Sequence, residues 1–196
     1  MKTNAFFFFF LFDKSIRLVG CQKQSPEISV QNGNSATLQA DRIKHGEYLV
    51  SILACHDCHT PKKMTDKGPD FDFDRTLMGH PAEEIYVANE EKRKMIETEQ
   101  VSIMNPGFTG FAGPWGVSYA ANLTPDDTGI GTWSEAQFFK AIRDGKSKGL
   151  DSARDLVPPM PWQVYRNLSD EDLRSVFAYL KSLKPIKNVV PNPRSL

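Results

Sequence analysis

Five consecutive residues, Cys55-His56-Asp57-Cys58-His59, constrain this chain more than any other feature. Two thiols stand one short turn apart and an imidazole follows directly. At that spacing two thiols can add across the two vinyl groups of a haem while the next residue comes to lie under the iron. C-x-x-C-H therefore reads as a c-type haem attachment sequence. A zinc site and a chance match are the competing readings. Zinc wants a second ligand pair at knuckle-like spacing, and no cysteine follows Cys58.

The remaining composition narrows the class. A length of 196 residues suits one domain, or one domain plus a tail. The 24 basic side chains are balanced by 24 acidic ones, which argues against a nucleic-acid binder, since phosphate contacts need clustered Lys and Arg. A charged fraction of 24% is that of a globular protein. No stretch approaches the roughly 20 apolar residues of a membrane span.

Six of the 13 phenylalanines fall between Phe6 and Phe12, and Lys2 precedes them. A basic start followed by a short apolar run is the pattern of a secretory signal. Leu18-Val19-Gly20-Cys21 then resembles the lipobox of bacterial lipoproteins, in which the signal is cut before a cysteine that carries lipid. The charges of Asp13, Lys14 and Arg17 depart from that pattern, and a buried Cys21 in an ordinary N-terminus is the alternative. Residues 22–40 are polar, without periodicity, and read as a flexible tether. With Cys21 lipidated and Cys55 and Cys58 on haem, no cysteine is left for a disulfide.

Asp41 can cap a helix that runs to about Ala54 and leads into the cysteines. Ser134-Glu-Ala-Gln137 fits a capping box ahead of Phe138, Ala141 and Ile142, with Gly145 as the stop. Ser169-Asp-Glu-Asp172 opens a last helix whose face is Leu173, Val176, Phe177 and Leu180. Residues 83–99 are densely charged, and any helix there is solvated. No motif gives the 61–114 stretch a role.

An iron held by one imidazole has an open face. Methionines 64, 78, 95, 104 and 160 and histidines 45, 56 and 80 are the candidates to fill it. Met160 stands out because Pro158, Pro159 and Pro161 stiffen its loop; a core-filling role is its alternative. His80, in Met78-Gly-His-Pro81, reads as a loop histidine. Trp115, Tyr119, Asn122, Trp133 and Trp162 carry N–H or O–H groups that suit haem propionates, although buried aromatics of this kind are more often core.

The stretches Gly46–Val50, Cys55–Thr60, Ala121–Asp126, Thr128–Trp133, Pro159–Trp162, Leu168–Leu173 and Phe177–Leu183 together resemble the class I cytochromes c, specifically the longer single-haem types of bacterial respiratory chains. The resemblance covers most of residues 41–190. It implies a mainly α fold around one covalent haem c, with first and last helices crossing beside it and a long loop insertion. It implies Cys55 and Cys58 as attachment points, His59 as proximal and Met160 as distal iron ligand, and the Pro69 carbonyl, with Pro81 as the alternative, on the free nitrogen of His59. Trp115, Asn122 and Trp162 are the expected pocket residues.

The organisation expected is a signal over 1–20, a tether over 21–40, the haem domain over 41–190 and a tail over 191–196. The function expected is one-electron transfer between respiratory redox partners, without catalysis of its own, on the periplasmic side of a bacterial membrane held through Cys21. A fixed subunit of a dehydrogenase or oxidase complex and a haem-based gas sensor are the alternatives.

Overall fold

The computed structural model describes residues 35–84, 86 and 88–196; the expected signal, Cys21 and the tether up to residue 34 lie outside them. Six α-helices dominate the described residues: α1 (Ser35–Ile52), α2 (Cys55–His59), α3 (Glu90–Glu99), α4 (Glu135–Asp144), α5 (Trp162–Tyr165) and α6 (Asp170–Ser182). The mainly α expectation holds. Among the described residues no helix is long and apolar enough to cross a membrane.

Helix α1 starts six residues before the expected Asp41 cap. Ala36, Leu38, Gln39 and Ala40 are good helix formers, and no Gly or Pro interrupts them. The tether reading ends too late for this reason: residues 35–40 are solvent-exposed but helical.

Helices α1 and α6 cross, as their apolar stripes require. Leu49 and Val50 of α1 meet Leu173, Val176 and Leu180 of α6, and Leu77, Ile130 and Phe138 complete the main core. Each such aliphatic side chain contributes roughly 1.5–3 kcal/mol when fully buried. The crossing is close because Gly46 has no side chain. A Cβ there would lie 1.9 Å from the Ser175 carbonyl oxygen and 2.8 Å from the Tyr179 Cβ. Gly46→Ala would gain about 1 kcal/mol of helix propensity, but the clash is with backbone and has to move a whole helix. Overpacking of this kind costs about 1–3 kcal/mol or more, so the clash wins. Thermal unfolding is expected to show a midpoint lowered by several degrees in Gly46→Ala; an unchanged midpoint would mean the helices do not cross there.

The capping signals work as written. Ser134 Oγ accepts from the Gln137 amide at 3.2 Å while Gln137 Oε1 accepts from the Ser134 amide at 2.9 Å. Ser169 Oγ accepts from the Asp172 amide at 3.1 Å, and three acidic residues in the first turn of α6 suit the positive end of its dipole.

The insertion holds the strands. Strand β1 (Lys62–Thr65) pairs antiparallel with β2 (Gly68–Phe71), and β3 (Ile103–Met104), β4 (Gly110–Gly113) and β5 (Gly116–Tyr119) form a second antiparallel sheet. Helix α3 lies between the sheets in sequence and buries only Ile96. Ile96 joins Tyr86, Ala88, Ala112 and Val117 in a second, smaller core. The insertion is thus a packed part of the fold and not an open loop.

The expected 191–196 tail is also part of the fold. Val117 and Arg194 exchange both backbone hydrogen bonds, at 2.8 and 3.0 Å, and Leu196 packs on the second core. Upstream, the Asn188 amide donates to the carbonyls of Met78 at 2.7 Å and His80 at 2.9 Å. These backbone partnerships leave no hydrophobic pattern in the sequence, which is why the segment reads as a tail.

Candidate haem site

Helix α2 is a single turn, entered through Ala54 in the left-handed conformation (φ 57°). That sharp entrance separates α2 from α1 and sets Cys55 against the main core. Cys55 packs against that core, and both thiols are free and partly buried. Burial pushes the Cys55 thiol up to about 12. Burial and then the Asp57 carboxylate raise Cys58. Both are therefore neutral S–H groups at physiological pH.

His59 is buried. Its Nδ1 lies 2.7 Å from the Ala121 carbonyl oxygen. A carbonyl only accepts, so Nδ1 carries the proton and Nε2 the lone pair. Burial lowers the His59 pKa, against an upward pull from the Ala121 bond, so the ring is neutral. The carbonyl partner corrects the expectation for Pro69, which sits in β2 opposite Met64. Ala121 follows the stretch that leaves β5, and a backbone carbonyl carries no side-chain signal by which to find it.

Together the motif offers two neutral thiols on one turn and an imidazole with its Nε2 lone pair held in place. This donor set fits haem. A porphyrin supplies four of the iron's ligands, so the chain needs to add only one or two side chains. No group of three or more His, Cys, Asp and Glu side chains comes together among the described residues, which is the convergence that a protein-built metal site of such ligands requires.

Met160 is partly buried and immediately precedes Pro161 and α5. Its loop is tied on both sides. Ahead of it, Ser118 Oγ donates to the Pro158 carbonyl at 2.6 Å and the Leu156 amide to the Gly145 carbonyl at 2.6 Å. After it, Tyr165 Oη donates to the Leu53 carbonyl at 2.5 Å. Leu53 stands two residues before Cys55, so this bond latches α5 onto the approach to the motif. Burial, with the nearby Cys55 and Cys58, pushes the Tyr165 hydroxyl up to about 12, which keeps it a donor. Sequence reasoning missed Tyr165; its position one turn after the Pro158–Pro161 loop was the available signal.

The other sixth-ligand candidates lie on other elements or make other bonds, and Met95 is 38% exposed on α3. Met64 and Met104 are 73% and 54% exposed on short strands. Met78 is buried. His45 Nε2 pairs with Asp172 at 2.8 Å on the α1–α6 face. His80 is fully buried, with Nδ1 at 2.9 Å from Thr109 Oγ1 and Nε2 at 3.0 Å from the Glu84 carbonyl. His56, inside the motif, pairs with Thr60 Oγ1 at 2.9 Å.

The expected propionate contacts divide. Asn122 is consumed between its own loop and the segment after α6: its amide donates to the Ile186 carbonyl at 2.8 Å, and its oxygen accepts from the Thr124 amide at 2.9 Å. The Trp115 indole N–H donates to Ser118 Oγ at 3.1 Å, in the same chain of bonds that holds Pro158. Trp162 lays its ring over Gly145, where a Cβ would come within 2.4 Å of it. Gly145 also takes φ 66° as the C-cap of α4, so its lack of a side chain is used twice.

No family model matches the chain. The fructose dehydrogenase cytochrome subunit of Gluconobacter japonicus is 38% identical over 91 residues, 45% of this chain and 18% of that protein. The gluconate 2-dehydrogenase cytochrome c subunit of Pantoea cypripedii is 45% identical over 69 residues, 35% of this chain and 15% of that protein. The cytochrome c subunit of the quinone alcohol dehydrogenase of Gluconobacter oxydans is 29% identical over 163 residues, 81% of this chain and 26% of that protein. The chain thus matches about a quarter or less of the length of each. Over most of its own length it is similar to a segment of a dehydrogenase cytochrome c subunit.

Proposed function

We propose that this chain is a single-haem c-type cytochrome that relays electrons, one at a time, from a dehydrogenase to a respiratory acceptor. The observation that carries the reading is His59, neutral and with its proton fixed on Nδ1 by the Ala121 carbonyl, directly after two free thiols. The names of the dehydrogenase cytochrome subunits support it. They also favour a place inside such a complex over a freely diffusing carrier.

When bound, haem supplies a one-electron Fe(II)/Fe(III) couple. The chain's own residues do the rest. Cys55 and Cys58 would hold the ring through thioethers formed by adding their thiols across its two vinyl groups. His59 presents Nε2, and the Ala121 carbonyl fixes the ring's orientation and increases its basicity. Met160 offers a thioether from a loop anchored at Pro158 and Tyr165. With His59 and Met160 both offering a donor, the bound group would gain and lose an electron with little rearrangement. No side chain in the site has to move a proton.

The test is carbon monoxide added to the reduced holoprotein, followed by reoxidation with a one-electron oxidant. An unshifted Soret band and full reversibility are expected. A prompt shift would make small-ligand binding the better reading.

The Phe6–Phe12 run and Leu18-Val19-Gly20-Cys21 support an extracytoplasmic location with a lipid on Cys21, the side of the membrane on which haem is attached covalently. Cys21→Ser is expected to move the protein from the membrane fraction to the soluble one; a protein that still sediments with membranes would remove the anchor.

A further inference from the structure

Lys62 opens β1 three residues after His59, and its ammonium turns back onto the motif. Nζ donates to the Asp57 and Thr60 carbonyl oxygens, both at 2.9 Å, and to the His56 carbonyl oxygen at 3.3 Å. An ammonium has three N–H bonds, and neutral acceptors take all three. Among the described residues no carboxylate lies within salt-bridge distance of it, and the Asp57 carboxylate acts on it only through space. Asp57, whose carboxylate belongs to the same turn, is solvent-exposed. On its other side Nζ lies 4.1 Å from the ring of Phe71, the cross-strand partner of Lys62, and 5.7 Å from that of Phe108. The side chain is partly buried. The cation is therefore fastened to the backbone of the attachment turn and shielded by aromatic rings, unlike a surface lysine that swings in water.

We infer that Lys62 sets the reduction potential of the site, its fixed positive charge favouring the reduced iron over the oxidised one. The inference rests on the haem reading above and adds to it a residue that touches neither iron nor ring attachment. The sign follows from Coulomb's law. Oxidation adds one positive charge at the iron, and a nearby fixed cation raises the energy of that state more than the reduced state. Partial burial keeps the effect from being screened as a surface charge would be. Holding three carbonyls at the C-terminal end of α2 is also a structural service, so the experiment has to separate charge from hydrogen bonding.

Redox titration of the holoprotein near neutral pH does this with three variants. Lys62→Gln keeps N–H donors but loses the charge, Lys62→Met keeps the stem against Phe71 and loses both, and Lys62→Arg keeps the charge. At a fixed applied potential, Gln and Met are expected to shift the reduced-to-oxidised ratio about tenfold toward the oxidised form, about 59 mV lower for one electron. Arg is expected to stay within about twofold of the parent, on the same conversion. If Gln does not assemble, Met still reads the charge. Neutral variants that titrate with the parent would overturn the inference and leave the haem reading intact, and so would an Arg variant that falls as far as Gln. A parent protein without covalent haem would overturn both.

Discussion

A chain carrying both Cys55→Ala and Cys58→Ala is expected to emerge without covalently bound haem, where the parent keeps its haem through acid–acetone extraction. The effect is all or none because the two thioethers are the only covalent bonds in question. His59 and Met160 would hold the iron only by coordination, and acid breaks the bond to His59 by protonating the imidazole. Burial pushes Cys55 up to about 12 and raises Cys58, so neither is a thiolate. The thiolate is the form that oxidises and exchanges, and protonated thiols on one turn persist until they are used. The variant removes the Cys55 sulfur from the edge of the main core and the partly buried Cys58 sulfur but no helix cap, so helix content by circular dichroism is expected to survive. Haem resisting extraction from the double variant would refute covalent attachment at these residues.

The parts of this molecule legible in advance are those that side-chain pattern controls. The α6 stripe of Leu173, Val176 and Leu180 lies buried, and both serine caps make their bonds. The C-x-x-C-H turn presents two thiols and a neutral imidazole in one place. What escapes is what backbone groups control. The five strands are two to four residues long, several of them carry glycine, and none is long enough to show alternation. The Ala121 carbonyl that orients His59, the Leu53 carbonyl that takes Tyr165 and the three carbonyls that take Lys62 leave no trace in residue type. The family resemblance implies Pro69 as the partner of His59, and it fails because the β1–β2 hairpin carries that residue into a strand. The same blindness to backbone partners makes residues 191–196 read as a tail, while the polar surface of residues 35–40 hides a helix.

Replacing Met160 by alanine is expected to leave haem covalently attached and to convert the reduced protein from inert to carbon monoxide into one that binds it promptly. The expectation rests on how the loop is built. Pro158 is held by Ser118, whose hydroxyl is itself held by Trp115, and Tyr165 pins the far end beside the motif. None of these bonds involves the Met160 side chain, so its removal deletes a thioether without releasing the loop. Because Met160 is only partly buried, the packing cost is expected at the low end of the roughly 2–5 kcal/mol seen for buried methionine truncations. The two effects are separable in one preparation. The Soret band after reduction and carbon monoxide reports the vacated ligand position, and thermal unfolding reports the packing. A thioether raises the potential of a histidine-ligated iron, so the variant is also expected to titrate at lower potential than the parent. Unchanged inertness to carbon monoxide with haem in place would take Met160 out of the site. Ligation would then have to come from another side chain, such as His56 after it leaves Thr60.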